Sequence, residues 1–334
     1  MLPVDALTVG NATIDVFLTI DETNPHVKLD SQTNELRFGH GDKIEVKKYD
    51  LSIGGNAANV AVGISRLGFK SGLVAEIGKD EFSQKIINNL TDENVDLELV
   101  NQIPSEASSL TIGINFKKDR TLFVEHIKRD HDFDFKNRQC KIVYLTSLGP
   151  LWEKAYEKTL EYVEKNNIKL FFNPGTLQIE KRNSVVWSAI SKSEILFINK
   201  EEAEELLYGK EVIMPKLSEN YIKKLLYGIK SLGAKIVVIT DGQNGSFAMD
   251  ENHTVFSLGI AECDIIEKTG AGDAYTSGFI SAFLNGESIE ESMRWGAFNS
   301  AGVIGEIGAE KGLLTKNAMQ RKLNSNEGFK AKEI

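Results

Sequence analysis

Residues 268–273 read KTGAGD and open a segment in which Tyr275, Phe279 and Phe283 recur every four positions, with Ile280 and Leu284 beside them. That spacing puts the apolar groups on one face of a helix, and Gly286 supplies its stop. Thr269 to Gly272 therefore form the turn that enters the helix. Backbone N–H groups there lack intrahelical partners and the helix dipole is positive, so the turn suits an anion. Gly270 and Gly272 give the backbone open dihedrals and leave no Cβ in front of an approaching phosphate. Asp273 would repel an anion that merely binds, but it fits a reaction in which a hydroxyl loses its proton while attacking a phosphate. The competing reading is a plain glycine turn whose aspartate stabilises the first helical turn.

A second cluster, IGGNAANVAVGISRLG (53–68), leads from an extended run into a helix of small residues. Gly54 and Gly55 allow close backbone approach, and Asn56 and Asn59 bring amides that both donate and accept hydrogen bonds. A polyhydroxylated ligand needs both properties. Tight packing of a helix start against a sheet would use the same glycines.

The elements that carry these turns are legible as alternating strands and helices. ALTVG (6–10), SGLVAEIG (71–78), KIVYLTS (141–147), KLFFNP (169–174), EILFIN (194–199) and KIVVIT (235–240) are continuous apolar runs, as expected of a parallel sheet covered on both faces. Between them, Val60, Ile64 and Leu67 share one helical face that ends at Gly68. The pattern predicts a doubly wound α/β fold, in which ligands collect beyond the carboxyl ends of the strands. Two regions depart from it. In 109–127, Leu110, Ile112, Ile114 and Phe116 alternate with small or polar residues before a KKDR turn, which predicts a hairpin. Residues 34–53 show Leu36 and Phe38, a glycine-bearing turn at 39–41, then Ile44 and Val46. An isolated hairpin is marginal in water, so the two regions are expected to pair into one small β-sheet lid over the site, contributed by about 15–53 and 97–128. Residues 1–330 read as a single domain, and 324–334 as a frayed polar tail.

Composition narrows the chemistry. Lys plus Arg number 39 against 48 for Asp plus Glu, a net charge of −9, which argues against a general binder of nucleic acid or anionic membrane. Cys140 and Cys263 lie far apart without C-x-x-C spacing, so neither a zinc site nor a disulfide framework is indicated, and both are expected to be buried. The first residues, MLPVDALTVG, lack a basic start followed by a long apolar run, and no stretch reaches 18 apolar residues; a cytoplasmic location is expected. No G-x-x-x-x-G-K-[ST] and no complete G-x-G-x-x-G after a strand occurs, which removes the main support for a P-loop ATPase or a dinucleotide dehydrogenase.

Taken together, VGNATID (9–15), GGNAANVAVGISRLG (54–68), GLVAEIGKDEFS (72–83), NKEE (199–202), TDGQNG (240–245) and KTGAGD (268–273) resemble, in order and spacing, the ribokinase-like carbohydrate kinase family, also called the PfkB family. The resemblance spans nearly the whole chain. It implies an ATP-dependent sugar kinase with an α/β core, a β lid and magnesium as cofactor. It further implies Asp273 as general base, and the N–H groups of Gly270, Ala271 and Gly272 as the anion hole. Asp15, Gly54, Gly55 and Asn59 would meet the sugar, with Asn56 at a position that varies with substrate. Asn199 and Glu202 would organise the magnesium shell through water; without the resemblance, Asn-x-x-Glu opening a helix is usually a cap. Thr240, Gly242 and Gly245 would border the ATP phosphates, and Asn299 would lie near the nucleotide. The family usually reads D-T-x-G-A-G-D where this chain has EKTGAGD. Glu267 and Lys268 at the first two positions place the monovalent-cation site of many members in doubt. A nucleoside kinase of the same family and a non-catalytic sugar or nucleotide sensor are the alternatives; a homodimer through the lid's apolar face is left open.

Overall fold

The computed structural model describes residues 2–117, 119–125, 127–209 and 219–334. Lys118, in the expected KKDR turn, and His126, at the end of the expected hairpin, lie outside the described residues. The apolar runs form a ten-stranded sheet. Its parallel part runs Asp96–Ile103, Ser71–Gly78, Val4–Val9, Cys140–Leu145, Lys169–Phe172, Ser193–Asn199 and Ile236–Thr240. Three antiparallel strands follow, Ser246–Met249, Val255–Leu258 and Lys332–Glu333. All residues of Ser71–Gly78 are buried, because helices cover both faces. Leu7, Val143, Leu170, Leu196 and Val237 point to one side, into the helices Glu153–Asn166, Ser184–Ser191, Lys200–Tyr208 and Glu219–Lys230. Ala6, Ile142, Phe171, Ile195 and Val238 point to the other, into Asn56–Arg66, Ala271–Leu284, Ile289–Ile304 and Lys316–Ser325. Each fully buried aliphatic side chain contributes about 1.5–3 kcal/mol, so this two-sided burial makes the sheet a rigid floor for the loops at its carboxyl edge.

The small sheet has the order Lys48–Gly54, Thr13–Thr19, Leu110–Phe116, Asp119–Glu125. Its outer pairs are antiparallel and the central pair, Thr13–Thr19 with Leu110–Phe116, is parallel. Register sorts its residues by face, since successive side chains alternate. One face carries the rows Ser52–Asp15–Thr111–Val124 and Lys48–Thr19–Asn115–Arg120; the other carries Leu51–Val16–Ile112–Phe123. The first, inner face, which also holds Phe17 and Leu122 in the row between, gathers the polar groups, and the second, outer face is mainly apolar.

Several expectations are corrected. Asp96–Ile103 belongs to the edge of the large sheet, paired in parallel with Ser71–Gly78, and not to the lid. As a half-buried edge strand it has the alternation of a lid strand. Glu35–Phe38 pairs with Val27–Asp30 and not with 44–46. The Asp30 carboxylate, which accepts from the N–H groups of Gln32 and Thr33, and Asn34 at φ 57° make the turn earlier than the glycines suggested. This hairpin lies on the lid's outer face, where Leu36 and Ile44 pack with Ile20, Val27, Ile114 and Phe116. The chain's end is not frayed: Lys332–Glu333 extends the large sheet and the Phe329 ring packs at a tilt on Phe298, centroids 5.2 Å apart. Cys140 is half-buried and Cys263 exposed, contrary to the expected burial. Among the described residues no helix is long and apolar enough to cross a membrane.

Candidate active site

Two helices begin at the same place. Ala271–Leu284 starts after Gly270, which has φ 75°. A Cβ on Gly270 would stand 2.5 Å from that of Ala309, so only glycine fits. The other helix, Asn56–Arg66, starts after Gly55 at φ 95°, where a Cβ would collide with the Asn11 backbone. The helices pack closely because Gly63 faces Ser277, leaving no room for a larger residue. That approach joins their first turns. Asn59 Nδ2 donates to Asp273 Oδ2 at 2.8 Å, although 214 residues separate them.

Asp273 therefore lies between two positive helix ends in a largely enclosed cleft. Burial, with the nearby charges of Asp15 and Glu202, pushes its carboxyl up to about 7, against the pull of the Asn59 amide. The turn itself is more specialised than the sequence suggested. Gly270 alone is left-handed; Gly272 has no positive φ, and a Cβ added there meets nothing within 4 Å. Space above Gly272, rather than strain, is what its missing side chain provides. The Ala271 N–H turns back to the Lys268 carbonyl at 3.3 Å. The N–H groups of Gly270, Gly272 and Asp273 have no partner among the described residues.

Asp15 is carried to this cleft on the lid's inner face. Thr13 Oγ1 donates to its Oδ1 at 3.1 Å, and burial raises its pKa despite the hydrogen bonds from Thr13 and Thr111. Gly54 lies on the neighbouring strand opposite Thr13, where any Cβ would run into the Asp15 carboxylate. Asn56 Nδ2 donates to Ser147 Oγ at 3.0 Å. Asn59 Oδ1, Ser52 Oγ and Asn115 Oδ1 are buried without a protein partner, whereas Asp50 Oδ2 is paired with Lys48 Nζ at 2.9 Å. Buried polar atoms are costly when unpaired, and a ligand rich in hydroxyls would satisfy them. Ser52, Asn115 and Arg120 were not singled out in the sequence; the only signal was their parity with Asp15 along the lid strands.

At the carboxyl edge of the large sheet, Asn199 and Glu202 form a capping box. Asn199 Oδ1 accepts from the Glu202 N–H at 2.8 Å and Glu202 Oε2 from the Asn199 N–H at 3.0 Å. Burial, reinforced by Glu201 and Glu205, still pushes Glu202 up to about 7, so its charge is under-compensated. A hydrated divalent cation fits that deficit. Among the described residues no three His, Cys, Asp or Glu are grouped to ligate a metal directly. Thr240 ends its strand half-buried, and Gly242, exposed at φ 49°, opens the following turn. Gly245 serves packing, since a Cβ would strike the Leu258 carbonyl. Asn299, expected near the nucleotide, is turned inward. It is fully buried, its amide donates to the Ala274 carbonyl and Ser277 Oγ, and its oxygen accepts from the Leu314 N–H. No atom of it is left for a nucleotide.

The two turn glycines are expected to fail differently. Gly270→Ala costs about 1–2 kcal/mol from the left-handed backbone alone, with the Ala309 collision added, and lowers the melting temperature. Gly272→Val leaves melting unchanged and abolishes binding of phosphate-bearing ligands, read by calorimetric titration with ADP. A Gly272→Val variant that binds ADP normally would show that the turn holds no phosphate.

The chain matches the description "pfkB family carbohydrate kinase" over residues 17–316. It is 25% identical to an ATP-dependent 6-phosphofructokinase of Thermoanaerobacterium thermosaccharolyticum, across 91% of this chain and 89% of that one. It is 26% identical to a 5-dehydro-2-deoxygluconokinase of Geobacillus thermodenitrificans, across 91% and 95%. Its fold superposes on Arabidopsis thaliana ribokinase complexed with ribose and ATP with a TM-score of 0.78 at 20% identity, covering 96% and 99%. With the paired helix ends, the polar lid face and this match over most of its length, the chain belongs to the pfkB family of ATP-dependent carbohydrate kinases.

Proposed function

We propose that this kinase transfers the γ-phosphoryl group of ATP to a hydroxyl, a primary one, of a sugar or sugar derivative held between the lid and the two helix ends. The observation that carries the reading is the Asn59–Asp273 hydrogen bond, which fixes a carboxylate of pKa about 7 beside the open turn at Gly272. In this reading Asp15 and the unpaired atoms of Ser52, Asn59 and Asn115 bind acceptor hydroxyls and aim one of them at Asp273. Asp273 takes its proton as the oxygen attacks, and the free N–H groups at the start of Ala271–Leu284 meet the charge gathering on the phosphoryl oxygens. Asn199 and Glu202 would hold magnesium through water, and the ion would offset phosphate charge. The closed lid excludes water, the competing acceptor. Thr240 and Gly242 border the phosphates.

The acceptor is tested by ADP release over a panel of sugars, sugar acids, sugar phosphates and nucleosides. Turnover with a hydroxyl-rich sugar or sugar derivative is expected, and turnover with nucleosides alone would contradict the reading.

Asp273→Asn keeps the shape and removes the proton acceptor, so kcat is expected to fall by about 10²–10⁴-fold. Because the native carboxyl titrates above its ordinary value, the folded state binds more protons than the unfolded chain between about 4 and 7, and this group withdraws stability as pH rises through that window. The Asn variant should therefore melt no lower than the parent at pH 8, and a lower melting point would expose a structural role. In the parent, kcat/KM should rise with pH and level off above about 7.

The lid's outer face supports self-association. Tyr49, Leu51 and Phe123 are 70%, 40% and 53% exposed, beyond the part covered by the 27–38 hairpin and by the helix Glu81–Asp92. An apolar patch of this kind marks an interface, and a second copy of the chain fits a sheet face that is symmetric in character. Sedimentation is expected to show a dimer that Phe123→Asp dissociates; an unaltered sedimentation coefficient would reject this interface.

A further inference from the structure

Glu267 is the acid that departs from the family's usual aspartate, and its surroundings show what it does. Its carboxylate is only 8% exposed, yet it is held on every side. Oε1 accepts from the Thr269 hydroxyl, inside the phosphate turn, and Oε2 accepts from the Gly308 N–H at 3.0 Å. Gly308 precedes Ala309, the residue packed on Gly270. Glu267 thereby joins the two loops that shape the turn. The positive charge facing it comes from the lid: Arg120 Nη1 lies 3.6 Å from Oε1, with the Arg120 side chain 22% exposed. Among the described residues no other cation forms an ion pair with Glu267, and Lys268, its neighbour, forms none.

Register places Arg120 on the same lid face as Asp15, and the Asp15 carboxyl feels both Arg120 and Glu267. A cavity of about 450 Å³ between lid and core is lined here by Thr19, Lys48, Asn115, Arg120, Glu267 and Lys268. One guanidinium thus bridges the sugar-facing lid and the scaffold of the anion turn. An exposed ion pair contributes little, but a carboxylate this buried is destabilising once its partner is removed.

We infer that Arg120 is a lid-borne latch and built-in cation: closing the lid brings its guanidinium to Glu267, which aligns the phosphate turn and supplies the positive charge that a monovalent metal ion supplies in many family members. Arg120 is a positioning residue, acting through Glu267 on the turn. The residues at 267 and 268 do not fit a potassium site, because the buried acid already has its cation. The inference rests on the proposed site only where it speaks of turnover; the latch itself is tested without substrate.

Hydrogen exchange on the protein alone is the first measurement. Arg120→Met and Glu267→Gln should each speed exchange in the lid segments 110–117 and 119–125 by about tenfold or more, the loss of one partly buried ion pair, while 71–78 keeps its protection. Arg120→Lys, which retains the charge, should fall between. Lid exchange unchanged in both Met and Gln variants, or equal loosening of 71–78, would overturn the latch. The second measurement compares initial rates in potassium and tetramethylammonium chloride at equal ionic strength. The parent should differ by less than about twofold, whereas Arg120→Met should be at least about tenfold slower in tetramethylammonium and regain rate saturably with potassium. A saturable potassium requirement in the parent, or no potassium rescue of Arg120→Met, would overturn the built-in cation. Failure to find any sugar acceptor leaves the exchange result decisive on the latch and counts only against the proposed function.

Discussion

The site depends on one constraint: two helices from opposite halves of the chain must start within hydrogen-bonding distance of each other. Asn59 and Asp273 meet only because Gly63 and Ser277 let the helices touch, and because Gly55 and Gly270 turn the chain into each helix with left-handed backbones. Any Cβ at these positions pushes the helices apart or strains their entries. The polar pair is therefore a consequence of packing by small residues. In turn it fixes a carboxylate where two helix N-termini converge.

Placing that carboxylate in an enclosed cleft has an electrostatic cost. Asp15, Glu202, Glu267 and Asp273 all face or border the region that must receive a highly anionic nucleotide. Burial raises Asp15, and pushes Glu202 and Asp273 up to about 7, so the last two shed part of their charge near neutrality before any ligand arrives. The offsets are local: helix N-termini, Lys200 at 3.7 Å from Asp241, and Arg120 at Glu267. In a chain of net charge −9, such local positive groups are what a phosphate site would have to rely on.

Most of this was legible in the sequence wherever a local pattern has a single physical solution. Ser71–Gly78 is apolar throughout because both faces are covered, and it was read with its observed bounds. Asp273, Asn59 and Asp15 were marked by motif, and all three reach the cleft. What escaped depends on partners distant in the chain. Asp96–Ile103 alternates like a lid strand because it is only partly buried, and only its pairing with Ser71–Gly78 assigns it to the core. Lys332–Glu333 is polar, and becomes a strand only because Phe256 and Ser257 offer a free edge. Arg120 looks like a turn residue until strand register sets it on the same lid face as Asp15. Asn299, placed near the nucleotide by the resemblance alone, is fully buried with its polar atoms engaged by three protein groups.

The central claim is that the carboxylate held where the helix ends meet is kept by its burial poised to exchange a proton near neutrality. Carbon-13 carboxyl NMR titration of the protein, with the Asp273 resonance assigned by its loss in Asp273→Asn, measures this directly. A midpoint near 7 is expected, moving upward in Asn59→Leu, where the hydrogen bond that favours the ionised form is lost. A midpoint near the ordinary value of about 3.9, unmoved by the loss of Asn59, would contradict the account.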